Sequence, residues 1–403
     1  MSALRKISGG VCAPAGFVAS AVACGIKTGT ATRDDLALIA SRHETVAAAT
    51  FTTNRVKAAP VIVSGENLRG RDTRAVILNS GNANACTGNQ GLADARRMTS
   101  AAASALGLLD AQVLVCSTGR IGIPLPIDRI ESAIPELVRS LHRKGSESAA
   151  RAIMTSDTVP KEAAVSVSVG ERTFRIGGLA KGAGMIDPNM ATMLAVVTTD
   201  APVPKAVLRS ALKDAVGLSF NRITVDGDMS TNDTVLIFAN GAAGGDPIAE
   251  GTPEAAAFRS GVESVCRTLA RKIVEDGEGT TKVIEVLVRG AARLSHARTA
   301  AEAVANSTLT KCAWAGGDPN WGRILDAVGY SGVKIHPEKV DIFYENLPVA
   351  LGGAPPSTPA ESLRAIAARD AFRVTIDLHM GDAAYEILTT DLTEEYVRLN
   401  LGE

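Results

Sequence analysis

The stretch from Lys181 to Ala201, KGAGMIDPNMATMLAVVTTDA, holds a Gly-rich turn, an Ala-Thr step and a strand-like apolar run in that order. Lys181, Gly182, Ala183 and Gly184 carry no β-branched side chain and can turn tightly, whereas Ala195, Val196, Val197, Thr198 and Thr199 favour an extended strand. Ala191 and Thr192 are thereby placed where a loop feeds a buried strand. If the peptide bond before Thr192 is cut, that residue gains an α-amine beside its own hydroxyl, so nucleophile and base share one residue. An α-amine titrates near ~8, against about 10.4 for a lysine, and can accept the hydroxyl proton at neutral pH. The β-methyl restricts χ1 and holds Oγ in one orientation. Taken alone, the step has an ordinary reading as well, because threonine fills strands routinely.

The rest of the chain bounds the answer. Its 403 residues exceed one ordinary core and suggest two or three domains. A net charge of -1 offers no overall positive field for nucleic acid or an anionic membrane, and aromatics at 3% are too few for base-stacking platforms. Small-molecule chemistry is the expectation. The cysteines Cys12, Cys24, Cys86, Cys116, Cys266 and Cys312 are scattered without a C-x-x-C pair, so neither a metal site nor a disulfide framework is expected, and they read as small packing residues. His43, His142, His296, His336 and His379 stand apart from the motif-like stretches, which argues against a histidine-based triad. Arg5 and Lys6 precede an apolar stretch from Val11 to Ile26, the outline of a secretory signal, but Pro14, Gly16 and Gly25 interrupt it and an N-terminal strand pair is the better reading. No apolar run reaches membrane-spanning length, so a soluble, cytoplasmic protein is expected.

Extended runs at Ala75 to Leu78, Val113 to Val115, Ala163 to Val169 and Val235 to Phe238 alternate with helical patterns at Asp94 to Leu106, Ile127 to Arg143, Lys205 to Ser219 and Glu254 to Ala270. This is an α/β chain. A domain boundary is expected after the strand at Glu285 to Val288, giving a catalytic domain of residues 1–285 and a smaller α/β domain of 286–403, with elements at Val340 to Tyr344, Ser362 to Ala368 and Phe372 to Leu378. Ser117-Thr118-Gly119 follows the strand Val113 to Val115 at an expected turn, where Gly119 permits close approach and Thr118 offers an N–H and a hydroxyl to an oxyanion.

The opening stretch resembles the signature of the glutamate/ornithine N-acetyltransferase family, the self-cleaving enzymes of the arginine pathway's acetyl cycle. The resemblance spans nearly the whole chain. CGIK from Cys24, FTTNRVKAAPV from Phe51, NSGNANACTG from Asn79, STGRIG from Ser117, MTSDTVPK from Met154, SFNRITVDGDMSTND from Ser219, DGEGTTK from Asp276 and GGDPNWGRI from Gly316 are similar to family blocks in the family's order. The resemblance implies a self-processing αββα sandwich of the N-terminal-nucleophile type, cut between Ala191 and Thr192 into chains 1–191 and 192–403 that assemble as a heterotetramer of two of each. It implies transfer of acetyl from N2-acetyl-L-ornithine to L-glutamate through acetyl-Thr192. It implies an oxyanion hole of Thr118 and Gly119, and substrate contacts at Thr155, Lys181, Thr192, Glu278 and Asn400. No metal or other cofactor is implied. Some members accept acetyl-CoA as a co-substrate, and no residue read in this sequence separates those that do from those that do not.

Lys181 can meet a carboxylate as a point charge and Glu278 an ammonium, which suits an amino-acid substrate. The family pattern runs beyond the asparagine to a terminal Ser or Thr that touches substrate; here the sequence reads Asn400-Leu401-Gly402-Glu403, so that contact is expected to be missing or replaced, and the stretch Glu386 to Leu392 is altered too. Three weaker motifs fail. Gly177 to Gly182 has its lysine before the second glycine, unlike a phosphate loop; Asp226, Asp228 and Ser230 start a calcium loop that lacks its Gly and Glu, with Thr231 and Ile237 in those places; Trp314 and Trp321 read as packing. The other readings kept open are an aminopeptidase or amidase of related fold, with water as acceptor, and a non-catalytic small-molecule sensor.

Overall fold

The computed structural model describes residues 2–70, 72–187 and 193–401, so Ala191 and Thr192 lie outside the described residues. The chain forms two units, Met1–Ala183 with Asn189–Asn221 and Met229–Ile273, and Gly184–Pro188 with Arg222–Asp228 and Val274–Glu403.

The first unit contains β1 (Ser2–Lys6), β2 (Phe17–Val22), β3 (Leu36–Ser41), β4 (Val46–Phe51), α1 (Ala59–Asn67), β5 (Ala75–Asn82), α2 (Gly88–Leu106), β6 (Val113–Arg120), α3 (Ile127–Arg139), α4 (Ser146–Ala152), β7 (Lys161–Val169), β8 (Arg172–Lys181), β9 (Leu194–Thr199), α5 (Lys205–Gly217), β10 (Thr234–Ala239) and α6 (Pro253–Glu275). Among the described residues these strands form a six-stranded sheet in the order β1-β7-β8-β9-β10-β4 and a four-stranded sheet in the order β2-β3-β5-β6. Period-two alternation decides the layering. On one face of the smaller sheet Ala37, Ile39, Val76, Leu78, Leu114 and Cys116 join Leu194, Val196, Leu236 and Phe238 of the larger sheet in a single buried cluster. The intervening residues Leu36, Leu38, Ile77, Val113 and Val115 pack instead on α1, α2 and α3 through Val63, Met98, Ala102, Ile130 and Ile134. The far face of the larger sheet is covered by α5 and α6, where Phe258 meets Phe174 with ring centroids 6.1 Å apart. The result is four layers, helix, sheet, sheet and helix, as expected from the resemblance.

Three local expectations change. β1 and β2 are strands but not partners, since β1 pairs with β7 and β2 with β3, in different sheets. The third helix stops at Arg139 instead of Arg143 because His142 leaves it to exchange two backbone hydrogen bonds with Ala19 of β2, each 3.1 Å. Ser117, Thr118 and Gly119 lie within β6, not at a turn after it, because the parallel ladder with β5 continues through them.

The second unit contains β11 (Val283–Ala291), α7 (Leu294–Ala305), α8 (Thr308–Ala315), α9 (Trp321–Tyr330), β12 (Asp341–Tyr344), β13 (Leu347–Ala350), α10 (Ala360–Ala367), β14 (Ala371–Asp377), β15 (Ala383–Thr390) and α11 (Glu394–Leu399). Its sheet runs β13-β12-β14-β11-β15. Ile284, Val286, Val288, Val374 and Ile376 pack on Ala301, Val304, Ile324 and Val328 of the helices. A boundary at 285/286 would cut β11 while Glu285 and Val286 are both paired to Arg373 and Val374 on one side and to Leu388 and Ile387 on the other. The change of unit falls at 273/274 instead, near the end of α6, and two short upstream segments also belong to the second unit. Trp314 is fully buried, donates its indole N–H to the Tyr344 hydroxyl at 3.0 Å and sits edge-on to Phe372, so it packs as read. Cys12, Cys116 and Cys266 are buried as packing residues, whereas Cys86 and Cys312 are exposed. No helix among the described residues is long and apolar enough to cross a membrane.

Leu78 is fully buried between the two sheets of the first unit, so Leu78→Ala should cost about 2–5 kcal/mol in chemical denaturation, with an unchanged midpoint contradicting the sandwich core.

Candidate active site

The strand end at Thr118 and Gly119 is shaped by a close approach between two backbones. Gly119 has φ +129° and Gly81, beside it in β5, has φ +94°. A Cβ on Gly119 would sit 2.3 Å from the Gly81 carbonyl carbon and 2.5 Å from the Asn82 nitrogen, so no side chain fits there. The ladder register also shifts at Gly81 and Asn82, which turns the end of β6 away from regular pairing. Polar side chains fix what the bulge loosens. Ser117 donates to Asn79 Oδ1 at 2.6 Å, Asn79 donates to the Asn82 carbonyl at 2.9 Å, and Asn82 donates to the carbonyls of Ile123 and Pro124 at 3.1 Å each. Thr118 is buried and Gly119 exposed, so the bulge is where this strand opens to solvent.

Two adjacent residues hold this strand end and Met193, the residue that follows Thr192 in the sequence. Asn232 donates from Nδ2 to the Ser117 carbonyl at 2.8 Å and to the Ala83 carbonyl at 2.7 Å. Asp233 accepts the Met193 N–H at 3.0 Å on Oδ1, and the Thr234 N–H donates to the Met193 carbonyl at 3.1 Å. Thus the residue preceding Thr118 and the residue following Thr192 are held by consecutive side chains, both almost fully buried.

A buried charge cluster lies in the same unit. Asp157 accepts from Lys161 Nζ at 2.6 Å and from the Gly182 N–H at 2.7 Å on Oδ1, and from the Thr155 N–H at 2.9 Å on Oδ2. Lys181 Nζ is 3.8 Å from Oδ2 and donates to the Thr155 hydroxyl at 2.7 Å. Burial opposes ionisation of Asp157, but Lys181, Lys161 and the Gly182 N–H overcome it and hold its carboxyl well below the usual carboxylate range. Thr155 and Lys181 are therefore brought together, with Lys161 and Lys181 both beside the Asp157 carboxylate.

In the second unit, Asn400 donates from Nδ2 to Glu278 Oε2 at 2.9 Å and to the Tyr396 carbonyl at 2.9 Å. Glu278 lies so close to Gly184 that a Cβ there would stand 2.5 Å from its carboxyl atoms. The start of the failed calcium loop has another use: Asp226 accepts the N–H groups of Met185 at 2.6 Å and Ile186 at 2.8 Å, holding Met185 at φ +57°. Asp187 is pushed up to about 7, chiefly by burial and further by Glu302, Asp226 and Asp228, against the hydrogen bond from Asn306.

Comparison with known proteins supplies the family. The model of the ArgJ family matches residues 18–402. The chain belongs to the ArgJ family. It is 48% identical over 397 residues to the arginine biosynthesis bifunctional protein ArgJ of Symbiobacterium thermophilum, covering 98% of this chain and 99% of that one. It is 44% identical over 413 residues to the glutamate N-acetyltransferase of Methanocaldococcus jannaschii, with coverage of 98% and 99%. The crystal structure of the arginine biosynthesis bifunctional protein ArgJ of Bacillus halodurans superposes with a TM-score of 0.50 at 39% identity, over 52% of this chain and 98% of that one.

Sequence reasoning singled out Thr118, Gly119, Thr155, Lys181, Glu278 and Asn400, but not Asp157, Lys161, Asn232 or Asp233. All four lie inside the quoted MTSDTVPK and STND stretches, where a buried role for a polar side chain leaves no periodicity to read. Asp157→Asn removes the carboxylate that pairs with Lys161 and Lys181 and should cost about 3 kcal/mol or more of stability at neutral pH. The sign follows from its depressed folded-state value: the Asp157 contribution is complete above its ordinary 3.8 and is lost as the pH falls below that, so wild type and variant should converge in acid melting curves. A difference that persists unchanged at low pH would contradict the pairing.

Proposed function

We propose that this chain is a self-processing acetyltransferase that moves acetyl from N2-acetyl-L-ornithine to L-glutamate through an acetyl ester on Thr192. The observation that carries this reading is the pair Asn232 and Asp233, which holds Ser117 beside Thr118 and Met193 beside Thr192. Family membership and the relative named glutamate N-acetyltransferase support it. The Bacillus halodurans chain, matched over 98% of its length by 52% of this one, is about as long as the piece that a cut before Thr192 would release.

In the processing step Thr192 Oγ attacks the Ala191 carbonyl, the C–N bond breaks and the amine is released, leaving an ester that water hydrolyses to the Ala191 carboxylate and a free Thr192. In the transfer step the Thr192 amine takes the Oγ proton as Oγ attacks the acetyl carbonyl of the donor. The Thr118 hydroxyl and the Gly119 N–H receive the oxyanion, and the proton passes to the departing α-amine of ornithine. Glutamate then attacks the ester with its neutral α-amine, its proton returns through the Thr192 amine to Oγ, and N-acetylglutamate leaves. The cluster of Thr155, Asp157, Lys161 and Lys181 is assigned a substrate carboxylate, and Glu278 with Asn400 a substrate ammonium. Every group these steps need comes from the chain, its substrates and water, so no cofactor is invoked; acetyl-CoA remains an alternative donor to test. Chains 1–191 and 192–403 would assemble as a heterotetramer, two of each, in the cytoplasm.

Initial rates with both substrates varied should give parallel double-reciprocal lines, and intersecting lines would contradict an acetyl-enzyme. Thr192→Ala should abolish cleavage and transfer together. Thr118→Ala should lower kcat by roughly 10²–10³-fold with substrate binding retained, and an unchanged turnover would remove Thr118 from the oxyanion role.

A further inference from the structure

Lys27 stands behind the oxyanion strand. Its loop is shaped by the fully buried Asp35, which accepts the N–H groups of Cys24 at 2.7 Å, Ile26 at 2.6 Å and Lys27 at 3.2 Å. Arg129 pins the same loop from α3 through the carbonyls of Gly25 at 2.8 Å and Gly29 at 3.0 Å. The loop backbone is pressed onto β5: a Cβ on Gly81 would stand 2.9 Å from Lys27 Cα, just as one on Gly119 would stand 2.7 Å from Gly81 Cα. Lys27, Gly81 and Gly119 thus form a stack with no room for an intervening side chain.

The Lys27 ammonium reaches the other part of the candidate site. It donates to the Asp34 carbonyl at 3.4 Å and to the Ala152 carbonyl at 3.3 Å. Ala152 ends α4 and is three residues before Thr155, and its carbonyl also accepts from Ser80, the neighbour of Gly81. One carbonyl therefore receives a donor from β5 and a donor from the Lys27 loop. A cation at the C-terminus of a helix is also favoured by the helix dipole.

We propose that Lys27 is a positioning residue of acetyl transfer, which ties the strand end bearing Thr118 and Gly119 to the segment bearing Thr155 and Asp157 and keeps a positive charge at their junction. The inference rests on the acetyl-Thr192 reading. The charged groups that face Lys27 are Arg33 and Asp35 of its own loop, Asp157 after α4, and Lys181 at the end of β8. Burial, then Arg33 and Lys181, outweigh the two carboxylates and bring the Lys27 ammonium down to about 8. The charge is present below that pH and is lost as the pH rises through it.

The test is the rate of ornithine release in the first turnover, with N-acetylornithine and no glutamate, measured from pH 6 to pH 10 for the processed wild type, Lys27→Arg and Lys27→Met, about those values being set by the ordinary titration ranges of the amine and lysine groups. Wild type should lose rate above about pH 8. Lys27→Arg, charged throughout, should keep most of the neutral rate and lose the alkaline limb. Lys27→Met should be slower by about tenfold at neutral pH, with an unchanged KM and no limb. A Lys27→Met rate equal to wild type, or a wild-type limb persisting in Lys27→Arg, would overturn the proposal. If Lys27→Met does not fold, the limb in Lys27→Arg decides alone. Failure of the wild type itself to release ornithine would overturn the acetyl-enzyme reading, a result distinct from either variant outcome.

Discussion

The interaction on which the candidate chemistry depends is the buried hydrogen-bond pair made by Asn232 and Asp233. A strand end with a glycine at φ +129° has no intrinsic preference for one path, and a residue at the edge of a loop has many. Asn232 takes the Ser117 carbonyl and Asp233 the Met193 N–H, so both backbone groups are tied to the start of β10, which begins at the next residue. Leaving either buried group unpaired would cost about 1–3 kcal/mol, which is enough to favour one arrangement strongly over others. Preorganisation of this kind is what acyl transfer needs, because a donor misplaced by a fraction of an ångström stabilises the ground state as well as the transition state.

The second requirement is recognition of a small charged substrate by a chain with a net charge of -1. In the proposed function local clusters are assigned that role. Asp157 is held in its ionised form despite burial because two lysines share it, and one of them, Lys181, also donates to the Thr155 hydroxyl. In the second unit Glu278 is accompanied by Asn400, whose amide supports a carboxylate without neutralising it. Replacing a buried ion pair of this kind by apolar packing is often neutral or stabilising, so the Lys161–Asp157 pair is weak evidence of a purely structural role.

Most of the layered fold was legible in the sequence because three-and-four spacing survives in α2, α5 and α6, where one face packs and the other does not, and because β5 and β10, buried on both faces, read as short continuous apolar runs. What was hidden was non-local. The pairing of β1 with β7 rather than β2, and the continuation of β6 through Gly119, depend on partners more than 30 residues away. The boundary expected after residue 285 failed for the same reason: β11 looks like the end of a run in sequence but is flanked on both sides by strands that come later. At the site, Lys181 and Glu278 stood out as charges within glycine-rich stretches, whereas Asp157 and Asn232 act through burial, which sequence spacing does not report.

The central claim is that Thr192 becomes a free amino-terminal nucleophile that carries the acetyl group. Its most direct test is the mass of the purified protein under denaturing conditions, before and after mixing with N-acetylornithine in the absence of glutamate. The account predicts two chains, residues 1–191 and 192–403, the second beginning at Thr192 and becoming heavier by one acetyl group on that residue. A single uncut chain, or a cut chain whose mass does not change with the donor, would contradict it.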